Sequence, residues 1–462
     1  MKKPEKLYEG NMRKKYLLYA IPLILSALLS QSYNFVNSMM IGKFIGSEAF
    51  AATAVTAELI ELLNSIFFGY LTGVGIYVSV LFGKGEHEKM LNVIKLNFLL
   101  SITFAVIVSL GCNIFVKQIF DILNVNDEVY KNAEIYFRIY VLGYIVFQFN
   151  WGFTYISHGM GTTIIPLVTS VVTGVINIIL NYLFLSVYDK GIGYSALATV
   201  ISTTVAVFVY MYIYIKLFKN MGVKLRGFKI NKKMLKDSID YGTPSMFQQM
   251  AMYACTAVVS PLVNTCSTAA LSGYAVANKA RTLILAIYQN SSKANTNFIS
   301  QAMGAGKIDK LKSGIKIGIT QCLLFFGVIM AGFMIFANEF TALFLDPIRD
   351  AESFTVSVNT IRFLFPLIFF NVFNNLFHGI FRAVGSGKIM VTSTLIYAIS
   401  YVIYAYALFA VLPYETRIYG VHLALSGAYI TEVIFATYIF ASAKWKSPEY
   451  IKLEQRLKNN LN

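Results

Sequence analysis

The chain has 462 residues, of which 56% are hydrophobic and only 13% charged, with a mean hydropathy of +0.61 and a formal net charge of +16. Soluble domains carry about 25% charged residues, so water is excluded as the solvent for most of this chain and lipid is implied. In lipid every backbone N–H and C=O must be paired within the protein, which leaves helices or a closed barrel. The long unbroken apolar runs Tyr16–Met40 and Gln321–Ala337 exclude the polar–apolar alternation of barrel strands.

In chain order, residues 1–16 are basic and form an N-terminal cytoplasmic segment; the apolar run behind them is too long for a signal-peptide core and is expected to stay as the first span. Spans are expected at 17–41, 51–81, 93–120, 133–157, 164–187 and 194–218, making a first lobe over 17–218. A basic cytoplasmic linker, 219–237, follows. Spans at 238–262, 268–300, 314–345, 357–381, 389–412 and 419–443 make a second lobe over 238–443, and residues 444–462 form a cytoplasmic tail. The expected fold is an all-α integral membrane protein. Its twelve transmembrane helices form two parallel six-helix lobes related by a pseudo-twofold axis along the membrane normal.

Charge orients the bundle. With the N-terminus inside, 28 of the 39 Lys and Arg residues fall on the cytoplasmic side and six on the outer side, the bias of the positive-inside rule. Both termini are then cytoplasmic, in the plasma or inner membrane of the cell. The net positive charge is explained by basic loops meeting an anionic leaflet. Nucleic acid is not expected as a partner, since no basic stretch sits on a soluble domain with aromatic platforms. Cys112, Cys255, Cys266 and Cys322 have no metal-like spacing and read as small buried hydrophobes.

The two halves repeat. Pro22 matches Pro244, Ser47 matches Ser267, Gly83 and Gly85 match Gly304 and Gly306, Lys95 matches Lys316, Arg138 matches Arg362, Gly161 matches Gly385 and Gly191 matches Gly420. The offset drifts only from 220 to 229. These matched stretches also carry a family likeness. The segment Ile21-Pro22 … Gln31-Ser32-Tyr33-Asn34-Phe35-Val36-Asn37 … Ile41-Gly42 … Gly46-Ser47-Glu48-Ala49 resembles the first-span pattern of multidrug and toxic compound extrusion (MATE) transporters. Gly242-Thr243-Pro244-Ser245-Met246-Phe247-Gln248-Gln249 looks like that family's seventh-span opening, and Gln301-Ala302-Met303-Gly304-Ala305-Gly306-Lys307 like its signature after the eighth. The resemblance covers nearly the whole chain. It implies a V-shaped pair of lobes exporting organic, often cationic, compounds against an inward Na⁺ or H⁺ flow. Two departures stand out: Asn37 replaces the usual aspartate of span 1, and Gln248, Gln249 and Met252 occupy the region where some members carry a glutamate. An amide takes up no proton, so other carboxylates are needed for coupling.

Ionisable residues inside a span are costly unless paired or wet, which makes them functional candidates. Glu58 and Glu61, three residues apart, share one face of span 2. Span 8 holds Lys279, Arg281 and Lys293, span 10 holds His378 and span 12 holds Glu432. The candidates for the cavity and for ion coupling are therefore Asn37, Glu58, Glu61, Gln248, Gln249, His378 and Glu432. The repeat offset sets Glu58 and Glu61 opposite Asn278 and Arg281. An interlobe gate of Glu61 with Arg281, joined by Glu58 and Lys279, is expected against the alternative that each charge is satisfied within its own lobe. Arg138 and Arg362 read as interface anchors.

Rival functions fail on residues. Gly385-Ser386-Gly387-Lys388 lacks the first Gly and the last Ser/Thr of a P-loop, Arg382 and Ile389 standing there instead. His87-Glu88 begins a paired-histidine metal motif, but Leu91 stands where its second histidine belongs. No enzyme activity, metal or cofactor is expected, H⁺ or Na⁺ serving as coupling ion. The expected function is secondary active antiport of a small organic substrate by a monomer in the bilayer. A lipid-linked oligosaccharide or polysaccharide flippase of the same superfamily is the alternative.

Overall fold

A computed structural model describes residues 4–122, 125–224, 227–228 and 230–459; the Ser47 side chain, matched above to Ser267, lies outside the described atoms. The fold is all-helical, with no strand among the described residues. The first half runs α1 Met12–Phe44, α2 Ser47–Lys84, α3 His87–Ile114, α4 Val116–Ile122, α5 Asp127–Leu142, α6 Tyr144–Gly159, α7 Ile164–Asn181 and α8 Gly193–Asn220. The second runs α9 Lys232–Asn264, α10 Thr268–Gly304, α11 Ile308–Ile335, α12 Ala337–Ala342, α13 Ala351–Asn359, α14 Phe369–Ala383, α15 Gly387–Val411, α16 Arg417–Ala441 and α17 Pro448–Asn459. When α5 is joined to α6 and α13 to α14, twelve long segments coincide with the twelve expected spans. Nine of the described helices are apolar and long enough to cross a membrane by composition. The α5–α6 segment, α9 and α10 are more polar, and the last two carry Gln248 and Arg281.

Several expected spans are not straight helices. The stretch expected as 133–157 is broken at Gly143, where a Cβ would lie 2.3 Å from Val200 of α8. The stretch expected as 357–381 passes through a π turn, Thr360–Leu364, and a 3-10 turn, Phe365–Ile368. Pro366 there lacks the N–H that a regular helix needs. The stretch expected as 93–120 ends at Ile114, and α4 continues it as a separate short helix.

The chain divides into two compact units, one built on Leu25–Met246, the other on Leu7–Ile24 with Phe247–Asn462. Neither unit takes whole first helices. Helix α1 changes unit at Leu25, three residues after Pro22, and α9 changes at Phe247, three residues after Pro244. Side chains account for this division. Within the second unit the Tyr16 hydroxyl donates to the Ser291 carbonyl at 2.6 Å, and Leu7 N donates to Gln301 Oε1 at 2.9 Å. Within the first, the Tyr77 hydroxyl donates to Asp237 at 2.8 Å while its ring stacks on Tyr241 at 4.9 Å. Asn97 links Tyr70, at 2.9 Å, to Ser238, at 3.3 Å. The repeat is also visible in backbone conformation. Gly85 and Gly161 in the first unit turn with φ of 77° and 78°, and their counterparts Gly306 and Gly385 in the second with 70° and 83°. Only glycine adopts this region without strain. All four cysteines are buried and free.

The tail is a helix rather than a loose end. Trp445 stacks on Phe440 at 5.1 Å, Ser386 Oγ donates to the Trp445 carbonyl at 2.6 Å, and Tyr450 is buried. Glu454 on α17 accepts from Lys446 Nζ at 2.7 Å and pairs with Lys312 Nζ of α11 at 3.2 Å. The Lys446 hydrogen bond, with Lys312 adding to it, holds the Glu454 carboxyl below the usual range. A lowered folded-state value contributes stability that is full at neutral pH and is lost as pH falls through that value. Amide protection factors across 448–459 are therefore expected to hold down to about pH 5 and to fall below about pH 4. Glu454→Gln should exchange faster at neutral pH and lose the acid step; an unchanged profile would show that the ring packing alone holds the helix.

Candidate functional site

The second unit places a titratable pair inside otherwise apolar helices. Glu432 of α16 is 3% exposed and His378 of α14 is 5% exposed, and their facing atoms, Oε1 and Nε2, are 2.8 Å apart. The approach is close but off the axis of a straight N–H···O bond. Ser393 of α15 donates to the same Glu432 oxygen at 3.1 Å. On the other side of the imidazole, Gln248 Nε2 of α9 lies 2.6 Å from His378 Nδ1. With the Gln248 amide nitrogen as donor, Nδ1 accepts and the ring proton sits on Nε2, facing the carboxylate. Turning the Gln248 amide over would offer its oxygen instead and match a doubly protonated ring. Gln248, His378, Glu432 and Ser393 thus form one continuous chain of polar side chains inside the unit. Arg382 Nε bonds the His378 carbonyl at 3.4 Å, and Lys293 of α10 acts electrostatically with Arg382. Four helices supply this chain, so the sequence separates Gln248 from Glu432 by most of the second half.

The first unit holds a polar cluster of a different kind. Ser195 of α8 donates to Asn37 Oδ1 at 3.1 Å. Asn177 of α7 donates to Thr199 at 3.2 Å, and Asn181, one turn on, donates to Asn177 Oδ1 at 3.1 Å. Asn181 Oδ1 is buried without a partner. The cluster contains amides and hydroxyls alone, so it offers hydrogen bonds but no proton acceptor near neutral pH. Asn37 was expected from the sequence. Asn177 and Asn181 were not, although their i, i+4 spacing inside an apolar run marks one polar helix face. An open apolar groove of about 560 Å³ lies beside them, lined by Val36, Met39, Met40, Ile178, Ile179 and Tyr182 among others.

The remaining candidates fall elsewhere. Glu58 and Glu61 are both exposed on α2, and Glu61 acts electrostatically on Tyr140 of the same unit. Gln249 is half-buried on α9. Lys279 is exposed, its ammonium 5.6 Å from the Phe344 ring centre. Arg281 turns to aromatic neighbours in its own unit, acting electrostatically on Tyr274, Tyr397, Tyr401 and Tyr429. Arg138 is bound by Glu134 at 2.7 Å and by the Asn113 carbonyl at 2.7 Å. Arg362 reaches the Met334 carbonyl at 3.3 Å.

Twelve long helical segments and no strand among the described residues, with polar side chains collected inside apolar helices, are the architecture of a polytopic membrane protein. The MatE family model matches residues 22–183 and again 244–407, together more than half of the chain, and the chain belongs to that family. The double match falls on the two halves of the repeat. Among similar proteins, a probable multidrug resistance protein, YoeA of Bacillus subtilis, is 26% identical over 74% of this chain and 75% of its own length. The multidrug export protein MepA of Staphylococcus haemolyticus is 22% identical over 84% of this chain and 85% of its own. The fold matches that of an outward-facing multidrug resistance MATE transporter of the MOP superfamily with a TM-score of 0.85, at 18% identity over 99% of both chains. It also matches a MOP superfamily transporter from Pyrococcus furiosus, whose binding pocket has a reverse polarity suggesting a different function, with a TM-score of 0.86, at 19% identity over 99% of both chains.

Proposed function

We propose that this chain is a secondary active multidrug exporter of the cell membrane, working as a monomer with both termini in the cytoplasm. It moves amphipathic organic compounds outward by alternating access, against an inward flow of protons. The observation that carries the reading is the buried His378–Glu432 pair in a MATE fold. A carboxylate held in apolar helices against one imidazole and one hydroxyl is costly to keep there without a function, which suits a coupling site. We assign coupling to Glu432, with His378 and Gln248 as the polar side chains behind it. The exposure of Glu58 and Glu61 and the neutral cluster around Asn37 support that choice. The names of YoeA and MepA favour drug export over the flippase alternative. The charge gate of Glu61 with Arg281, with Glu58 and Lys279 beside them, is retained as a proposal for the transport cycle; it requires Arg281 to leave its tyrosine neighbours in one state.

The test is purified protein in liposomes loaded with a fluorescent cationic dye, under an imposed pH or sodium gradient. Dye movement that follows the pH gradient and stops on adding a protonophore is expected. Movement with sodium alone would reassign the coupling ion. No dye movement under either gradient, alongside flipping of a labelled lipid-linked oligosaccharide, would overturn the export reading.

A further inference from the structure

Arg281 is a half-buried charge that the proton-coupling chain does not use. It lies on α10 with its Nε buried and without a hydrogen-bond partner, and no carboxylate lies within ion-pair distance of it among the described residues. Its surroundings are aromatic. Tyr397 and Tyr401 of α15 stack at 6.2 Å, Tyr397 and Tyr429 of α16 at 5.3 Å with planes 9° apart, and Tyr274 of α10 packs on His422 of α16 at 5.0 Å. His422 is 4% exposed, its Nε2 also lacks a partner, and it is in electrostatic reach of Arg281. Asn278 Oδ1, on the preceding turn of α10, is buried and unpartnered too. Three helices therefore converge on a guanidinium with polar atoms left open around it and a wall of stacked rings beside it.

A guanidinium keeps its proton at any physiological pH. Buried charges are ordinarily paired, because an unpaired one in apolar surroundings is expensive. The planar N–H fork, its Nε without a hydrogen-bond partner, is short of the partner it is shaped for, an oxyanion such as a carboxylate, sulfonate or phosphate. The phenol rings of Tyr397, Tyr401 and Tyr429, in electrostatic reach of it, are buried, and their hydroxyls can donate to the same oxyanion. The alternative is a purely structural role, with the tyrosines as the permanent partners of Arg281.

We infer that Arg281, with Tyr274, Tyr397, Tyr401, Tyr429 and His422, forms a substrate subsite for the anionic group of an aromatic amphipathic compound. This rests on the chain being an exporter. It narrows the substrate class to flat organic compounds that carry an oxyanion, including those that also carry a cation. Arg281 fixes the oxyanion, and the tyrosine hydroxyls supply further donors to it. Positive charge continues along α10 at Lys293, so an anion meets no opposing carboxylate on that helix.

A matched pair of probes separates the possibilities: a rhodamine with its free carboxylate, and the methyl ester of the same dye. Both keep the cationic ring system and differ in the anionic group alone. Binding to the purified full-length protein is read by fluorescence anisotropy, and transport by dye movement in liposomes. The wild type should bind the free acid about tenfold or more tightly than the ester, the value of a charge-assisted fork. Arg281→Gln should bring that ratio to about one with ester binding retained within about twofold, and Arg281→Lys should keep part of the preference. Retained ester binding shows that Arg281→Gln is folded; if it fails to fold, Tyr429→Phe and Tyr397→Phe carry the test by lowering the acid-to-ester ratio. Equal affinities for acid and ester in the wild type, or a ratio unmoved by Arg281→Gln, would overturn the subsite while leaving the exporter reading intact, provided the ester is moved. Neither dye being bound or moved would overturn both.

Discussion

Glu432→Gln is expected to abolish gradient-driven dye movement, down to the level of protein-free liposomes, while dye binding and folding are retained. The glutamine keeps a carbonyl oxygen for the Ser393 hydroxyl, which now donates to Glu432 at 3.1 Å, and keeps the size of the side chain. What it loses is the ability to change charge against His378, 2.8 Å away. The movement that remains should no longer depend on pH. Glu432→Ala separates charge from packing. It leaves His378 and Ser393 buried without their partner, which costs about 1–3 kcal/mol for each group left unsatisfied. Its defect should therefore include a lower melting temperature, where that of Glu432→Gln does not. His378→Gln, which removes the ring but keeps a donor, should shift the pH dependence of transport without eliminating it. Glu432→Gln liposomes that still accumulate dye under a pH gradient, with the pH profile of the wild type, would remove Glu432 from coupling.

The second large effect concerns a glycine. A Cβ on Gly73 of α2 would lie 2.0 Å from the Tyr241 carbonyl oxygen and 2.7 Å from the Gly242 Cα on α9. A Cβ on Gly242 would in turn meet the Tyr70 ring at 2.4 Å. The two backbones touch here because neither residue has a side chain, the small-residue contact that membrane helices use for association. The obstacle is backbone, so it cannot rotate away. Gly73→Ala should push α2 and α9 apart and break the alignment of Tyr77 with Asp237 and Tyr241. Overpacking of this kind costs about 1–3 kcal/mol or more. A clear fall in melting temperature is expected in detergent, with Gly73→Leu failing to yield monodisperse protein. Gly111→Ala and Gly327→Ala are the controls: nothing lies within 4 Å of either Cβ position, and both are helical. There alanine should stabilise slightly, by up to about 1 kcal/mol, through helix propensity. Melting temperatures that do not distinguish Gly73→Ala from these controls would show that the close approach is not a determinant of stability.

Membrane residence, helix number and the duplication were all legible from residues 17–443 alone. The reason is that lipid allows few architectures, and hydropathy along one helix reports directly on its solvent. The paired glycines could be matched by position because left-handed turns need glycine wherever they occur. Glu432, His378 and Gln248 could each be picked out as polar residues in apolar runs. That they form one chain of contacting polar side chains could not, because three separate helices bring them together and nothing in a one-dimensional pattern encodes which helix faces which. Arg281 shows the same limit from the other side. Its repeat offset suggested a carboxylate partner, whereas the second unit brings tyrosines of α10, α15 and α16 into electrostatic reach of it. The spacing of His422, Tyr429 and Glu432 puts them on one face of α16, a signal present in the sequence but without meaning until α15 supplies Tyr397 and Ser393 opposite. The sequence by itself determined the solvent, the spans and the residues too polar to be there by default. The tertiary structure decided which of them meet, because contacts between helices depend on crossing angle and close approach, set at positions such as Gly73 by the side chain that is absent.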